Sequence, residues 1–314
     1  MRLLVIAFIM SLMTITSYAR DQINIVGSST VYPFSTVVAE RFGKSGKFKT
    51  PVIESTGTGG GMKLFCAGIG VNTPDMSNAS RKIKPKEVKL CKDNGVTEIT
   101  QVIVGLDGIA FTSSVKGKSY NFTKEHLWQA MSDLGSKPTK WSDIDPSLPD
   151  YKIAILTPPA TSGTRDAWNS LVMKKGCPEE ILKEQGKKAC YMLREDGAVI
   201  EVGENDTLII NKLVGEPTYF GIFGFSYYDN SKDKVQAHLI EDKKISLKSI
   251  QDGSYPISRP LYFYVKDQHI GVIPGVEEYV KEFTSKRAAG PRGYLLDLGL
   301  VPLKSLKESI SKVE

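Results

Sequence analysis

Three short runs of hydroxyl and glycine residues hold the chemistry open to this chain: Gly27-Ser28-Ser29-Thr30, Thr56-Gly57-Thr58-Gly59-Gly60-Gly61 and Thr161-Ser162-Gly163-Thr164. Each stands at an expected helix start. Exposed backbone N–H groups, the positive end of the helix dipole and short hydroxyl donors converge there, which is the chemistry of anion binding. Any one run could simply cap its own helix. Three in a chain without a catalytic constellation point to an oxyanion surrounded by neutral donors.

Other chemistries fit the residues less well. Met62 separates Gly61 from Lys63, so the glycine run is no P-loop, and Met62 also stands where a dinucleotide fingerprint needs its last glycine. The glycines instead let backbone approach an anion closely. No Gly-x-Ser-x-Gly elbow occurs, and none of His126, His238 and His269 adjoins a serine run, which leaves a serine nucleophile without its base. Those histidines are far apart and no Cys-x-x-Cys pair exists, so no metal is expected. The chain reads as a binding protein, not an enzyme, with no cofactor. Arg81 and Arg165 lie beside the small-residue loops, and a guanidinium suits oxyanion geometry. Asp107 is a candidate partner for either. Trp128, Trp141, Trp168 and the aromatic run 219–228 read as packing.

The elements that would position these runs alternate strand, loop and helix, as in an α/β domain. Strands are expected at 23–26, 51–54, 97–104, 106–111, 151–156 and 255–265. Helices are expected at 32–41, 62–67, 86–91, 126–131, 166–173 and 277–284. Pro33 is tolerated in the first turn of its helix. Residues 74–79 read as a strand edge and loop. An inserted second domain with two crossings fits this order better than two domains on one linker.

Bulk properties agree. Arg2, an apolar stretch from Leu3 to Met13 broken by Ser11, and Ser17-Tyr18-Ala19 read as a signal peptide cleaved after Ala19. The stretch is too short for a bilayer, which takes ~20 residues. Without those 19 of the 314 residues, 295 remain, natural for two domains. The whole chain carries +6, or +5 without Arg2; that suits an anion, while scattered lysines and export argue against nucleic acid. Four cysteines in an exported chain imply disulfides. Three connectivities exist. Cys66–Cys91 with Cys177–Cys190 is preferred, because each pair then lies within one domain.

At these residues the chain resembles the periplasmic phosphate-binding proteins of high-affinity phosphate ABC transporters, a substrate-binding protein family. The motifs run in family order over nearly all the mature chain: Val26-Gly27-Ser28-Ser29-Thr30-Val31-Tyr32-Pro33-Phe34, the segment from Gly57 to Gly68, and Ser77-Asn78-Ala79-Ser80-Arg81. Ser162-Gly163-Thr164-Arg165, Phe220-Gly221-Ile222-Phe223-Gly224-Phe225, Tyr255-Pro256-Ile257-Ser258-Arg259-Pro260 and the stretch from Gly293 to Leu303 follow. Each motif alone is weak; their joint order is specific.

The resemblance implies a two-lobed periplasmic binding protein, each lobe a mixed sheet flanked by helices. Lobe 1 would comprise 20–105 and 256–314, and lobe 2 would comprise 106–255. The lobes would close on one dehydrated phosphate and dock as a monomer on a membrane permease. Family ligand positions map to Ser29, Thr30 and Val31; to Thr58; to Ser80 and Arg81; and to Ser162, Gly163 and Thr164. Two positions depart from the family. Arg81 stands where many members carry an aspartate that accepts the proton of hydrogen phosphate. Pro158 stands where many carry an arginine. Cationic help is then expected from Arg81 or Arg165, and the acceptor from Asp107. Another tetrahedral oxyanion (sulfate, molybdate or arsenate), or an exported non-transport protein with this fold, is the competing expectation.

Overall fold

Short apolar strands feeding helices open the chain. In this computed structural model, residues 20–160, 162–203, 206–306 and 309–313 are described. The expected signal segment and Thr161 lie outside them. Strand β1 (Asn24–Gly27) leads into helix α1 (Tyr32–Lys44), which carries Pro33 in its first turn and buries Phe34, Val38 and Phe42 at helical spacing. Strand β2 (Val52–Ser55), helix α2 (Gly57–Phe65), strand β3 (Met76–Ala79) and helix α3 (Pro85–Asp93) follow. Strand β1 runs parallel between β2 and β3, with Ile25 opposite Ile53 and Met76.

Two readings shift here. The glycine run is itself the first turns of α2 rather than a loop before it. A side chain at Gly61 would lie 2.5 Å from the Gly27 Cα, so this glycine pair is what seats α2 against β1. Residues 76–79 form an interior strand, fully buried between β1 and the strand Ser258–Lys266, rather than a strand edge. Of their polar side chains Asn78 finds a partner inside, with Ser35 Oγ donating to its Oδ1 at 3.1 Å, while the buried Ser77 Oγ finds none among the described residues.

Strand β4 (Ile99–Ser114) joins the lobes. It was expected as two strands. Gly105 does not break it, because Leu261 and Pro260 of the partner strand stay paired with Gly105 and Leu106. The second lobe adds β5 (Asn121–Phe122), β6 (Ile155–Thr157), β7 (Val199–Glu201), β8 (Phe220–Gly224), β9 (Val235–Ala237) and β10 (Leu239–Ile240). The outer half of β4 pairs with β8 and β9, while β6 lies parallel between β7 and β8. Strand β11 (Ser258–Lys266) returns antiparallel to β4 and β3, and β12 (Ile310–Lys312) adds to the inner half of β4.

Each lobe has its own core. In the second, Phe111 stacks on Phe220 at 5.3 Å and meets Phe122 edge-on at 5.0 Å, with Trp141 and Trp168 fully buried. The expected aromatic run belongs to this core through Phe220, Phe223, Phe225 and Tyr228. In the first lobe Val38, Phe263, Tyr279 and Phe283 pack together. Segment 300–302 adds a contact beyond the two crossings: Val301 enters the second-lobe core and Gln251 Nε2 donates to Pro302 O at 2.8 Å. The disulfides are Cys66–Cys91 and Cys177–Cys190, as preferred above. Arg20 donates to the fully buried Asp75 at 2.6 Å, and so ties the expected mature start into the sheet. Among the described residues no helix is long and apolar enough to cross a membrane.

Candidate functional site

The loops after β1, α2's first turn and the end of β3 converge on a cleft of about 560 Å³ between the lobes. Ser28, Ser29, Thr58 and Ser80 line its first-lobe side. Neither α1 nor α2 has a side chain capping its start; the N–H of Tyr32, the first residue of α1, donates to Ser28 O at 3.0 Å. Thr58 Oγ1 accepts from Ser80 N at 3.1 Å and shares a hydrogen bond with Ser80 Oγ at 3.1 Å, which orients both hydroxyls. The side chain of Val31 is buried in the core, so only its backbone can serve a ligand.

The cation of the site is Arg259, on β11. Its Nη2 donates to Thr30 Oγ1 at 3.0 Å and its Nη1 to Ser170 Oγ at 3.3 Å, so one guanidinium touches both lobes. Asp107 is its direct cross-strand neighbour, with Oδ2 at 3.5 Å from Arg259 Nε. Asp166 Oδ2 stands 3.6 Å from Nη2. Burial raises the Asp107 carboxyl above the ordinary aspartate range, against the pull of the Arg259 charge. Asp107 lies behind Arg259 and does not line the cleft, whereas Asp166 does.

The arginines expected as ligands are engaged elsewhere. Arg81 borders the cleft, but it donates to both carboxylate oxygens of Glu87 at 2.8 and 2.9 Å. Burial opposes ionisation of Glu87; the bonds from Arg81 and from Lys84 N nevertheless hold its carboxyl below the ordinary range. Arg165 is buried and donates to Thr157 Oγ1 at 3.3 Å and to Pro158 O at 3.1 Å, closing the turn after β6. The position lacking the family arginine is thus a carbonyl acceptor for another one.

The second-lobe loop opens helix α5 (Gly163–Trp168), which was expected to start at 166 and which widens into a π-turn over Asn169–Met173. Ser162 caps it, accepting from Thr164 N at 3.2 Å. Gly163 packs directly on Thr30: a side chain there would lie 2.6 Å from Thr30 Cα, and Thr30 Oγ1 donates to Gly163 O at 3.3 Å. Gly163 therefore abuts the first-lobe loop, and none of Ser162, Gly163 and Thr164 lines the cleft in this conformation.

The structure brings Ser29, Thr58, Ser80 and Arg81 to the cleft wall and Thr30 to its edge. Arg259, Asp166 and Ser170 were missed as site residues. Arg259 stood inside the Ser258-Arg259-Pro260 motif, and an arginine in a strand that crosses between lobes was the available signal. The three histidines lie away from the cleft. His126 accepts from Thr123 N at the start of helix α4 (Lys124–Met131), and His269 meets Asp75 at 2.5 Å. His238 sits in the second-lobe core, where burial pushes its imidazole down to about 3.

The profile of the PBP superfamily domain matches residues 14–287. Protein SphX of Synechococcus elongatus is 30% identical over 249 residues, 77% of this chain and 67% of that one. The phosphate-binding protein PstS of Staphylococcus saprophyticus is 29% identical over 296 residues, 92% of this chain and 83% of that one. Among solved structures, a possible phosphate binding protein from Planctomyces limnophilus superposes with a TM-score of 0.75 at 26% identity, covering 91% of this chain and 95% of the other.

Proposed function

The chain belongs to the PBP superfamily, and we propose on that premise that it is an exported, monomeric binding protein for inorganic phosphate. It would deliver the anion to the permease of an ABC transporter without catalysing a reaction. The names of the relatives support the ligand. The observation that carries the reading is Arg259, a cation touching both lobes beside a wall of hydroxyls at the starts of two helices that no side chain caps.

In this account phosphate docks on the N–H groups of Ser29, Thr30 and Val31 and on the hydroxyls of Thr58 and Ser80. Arg259 supplies two charge-assisted donors. The second-lobe residues Ser162, Gly163 and Thr164 complete the closed form from the far side. Because the closed form binds the anion better, phosphate shifts the balance toward it. Hinge motion falls on the two crossing strands, with lobe limits near 105/106 and 255/256. Asp107 and Asp166 offset the charge of Arg259, so oriented dipoles in a dry site do most of the binding. Asp107 positions Arg259. Asp166 lines the cleft and accepts the proton of hydrogen phosphate, which sulfate lacks.

Titration calorimetry on protein stripped of bound anion tests this. One phosphate per chain, undisturbed by excess sulfate, supports the reading. Displacement by sulfate would make the protein a general oxyanion carrier, and no heat with either anion would refute it.

A further inference from the structure

Beyond the hydroxyl wall, the cleft is rimmed by lysines from both lobes: Lys82 and Lys84 on one side, Lys174 and Lys187 on the other. The other two cations of the cleft have carboxylate partners, Arg81 with Glu87 and Arg259 with Asp107 and Asp166. Among the described residues none of the four rim lysines has an ion-pair partner. Of the described residues that line the cleft, the one acid, Asp166, stands against Arg259. Like charges thus face each other across the mouth, and closure raises their repulsion. The Lys84 ammonium is pushed below its ordinary range chiefly by Arg81 and partial burial, with small additions from Lys86 and from Lys187 of the opposite lobe, against the pull of Glu87.

The space is also large. A cleft of about 560 Å³ matches sites that hold ligands of drug size, far above one five-atom oxyanion. A ligand filling it must bring negative charge along its length, because the ammonium groups are spread from Lys84 across to Lys174 and Lys187. An organic phosphate ester would place an uncharged tail against them. We propose, resting on the phosphate reading of the inner site, that the cleft also takes short linear polyphosphates such as pyrophosphate and tripolyphosphate. The terminal phosphoryl group occupies the hydroxyl wall and Arg259. The following groups lie between Lys84 on one lobe and Lys174 and Lys187 on the other. No bond is made or broken; the protein carries the chain intact.

The test is titration of the stripped protein with phosphate and with tripolyphosphate, in metal-free buffer at fixed ionic strength. A variant carrying both Lys174→Ala and Lys187→Ala is titrated alongside. The expected result is one tripolyphosphate per chain, in competition with phosphate. The double variant should weaken tripolyphosphate about tenfold, the loss of two partly exposed ion pairs, and leave phosphate affinity within about twofold. The proposal falls if tripolyphosphate does not displace phosphate, or if the variant weakens both anions equally, which would make the rim a general attractor. Either failure with phosphate binding intact leaves the phosphate reading standing. Loss of binding to both anions in the unaltered protein would overturn both.

Discussion

Gly163→Ala separates closure from folding. The added methyl group would lie 2.6 Å from Thr30 Cα and 3.1 Å from Thr30 N. Carbon atoms in contact prefer about 3.5–4.0 Å, so the lobes must part by about 1 Å at this point. The bond from Thr30 Oγ1 to Gly163 O, already 3.3 Å long, would then pass out of range. Overpacking of this kind and one lost hydrogen bond together cost about 1–3 kcal/mol. On the proposed mechanism, with this contact formed as the lobes close, the cost falls on the closed form, so phosphate affinity should drop about 5- to 150-fold. The open form should be indifferent or slightly more stable, because Gly163 is the first residue of α5 and alanine favours a helix by up to about 1 kcal/mol. Calorimetric titration reads the affinity, and thermal unfolding without phosphate reads the stability. Unchanged affinity, or a fall in the unliganded melting point, would refute the argument that this contact belongs to closure.

Arg259→Lys keeps the charge but loses the fork onto Thr30 and Ser170, and should weaken phosphate about tenfold or more in the same titration. Asp166→Asn replaces an acceptor by a group that can also donate; the phosphate-to-sulfate affinity ratio should fall about tenfold, read by competition. Because Glu87 is held below its ordinary value of 4.5, its fork with Arg81 stabilises the fold above that pH and is lost as the pH falls through its depressed value. The melting points of the wild type and Glu87→Gln should therefore differ at pH 7 and converge toward pH 3. Replacing Cys177 and Cys190 by serine opens a loop of 13 residues and should lower stability by about 3 kcal/mol, measured by denaturant unfolding.

What was legible in the sequence is what local chemistry decides. Pro33 two residues into a helix, the hydroxyl–glycine runs and cysteines paired within a lobe depend on near neighbours. Helices α1 and α3 and both disulfides accordingly stand where the residues place them. Residues 74–79 read as a strand edge and loop, whereas the buried polar Asn78 of strand β3 is held by Ser35, a tertiary partner 43 residues away. Arg81 looked like a ligand, but Glu87 lies six residues on, at the start of α3, and takes its guanidinium. Arg259 had only its place in a crossing strand to mark it, since its partners come from register. It meets Asp107 across the strands and Thr30 from 229 residues away, distances no spacing rule reports.

The most direct measurement is a crystal structure of the stripped protein soaked in arsenate, located by the anomalous scattering of arsenic. This account predicts one dominant peak in the cleft, within hydrogen-bond reach of the Arg259 guanidinium and of the Thr58 or Ser80 hydroxyl. A peak only among the rim lysines, or none in the cleft, would contradict it.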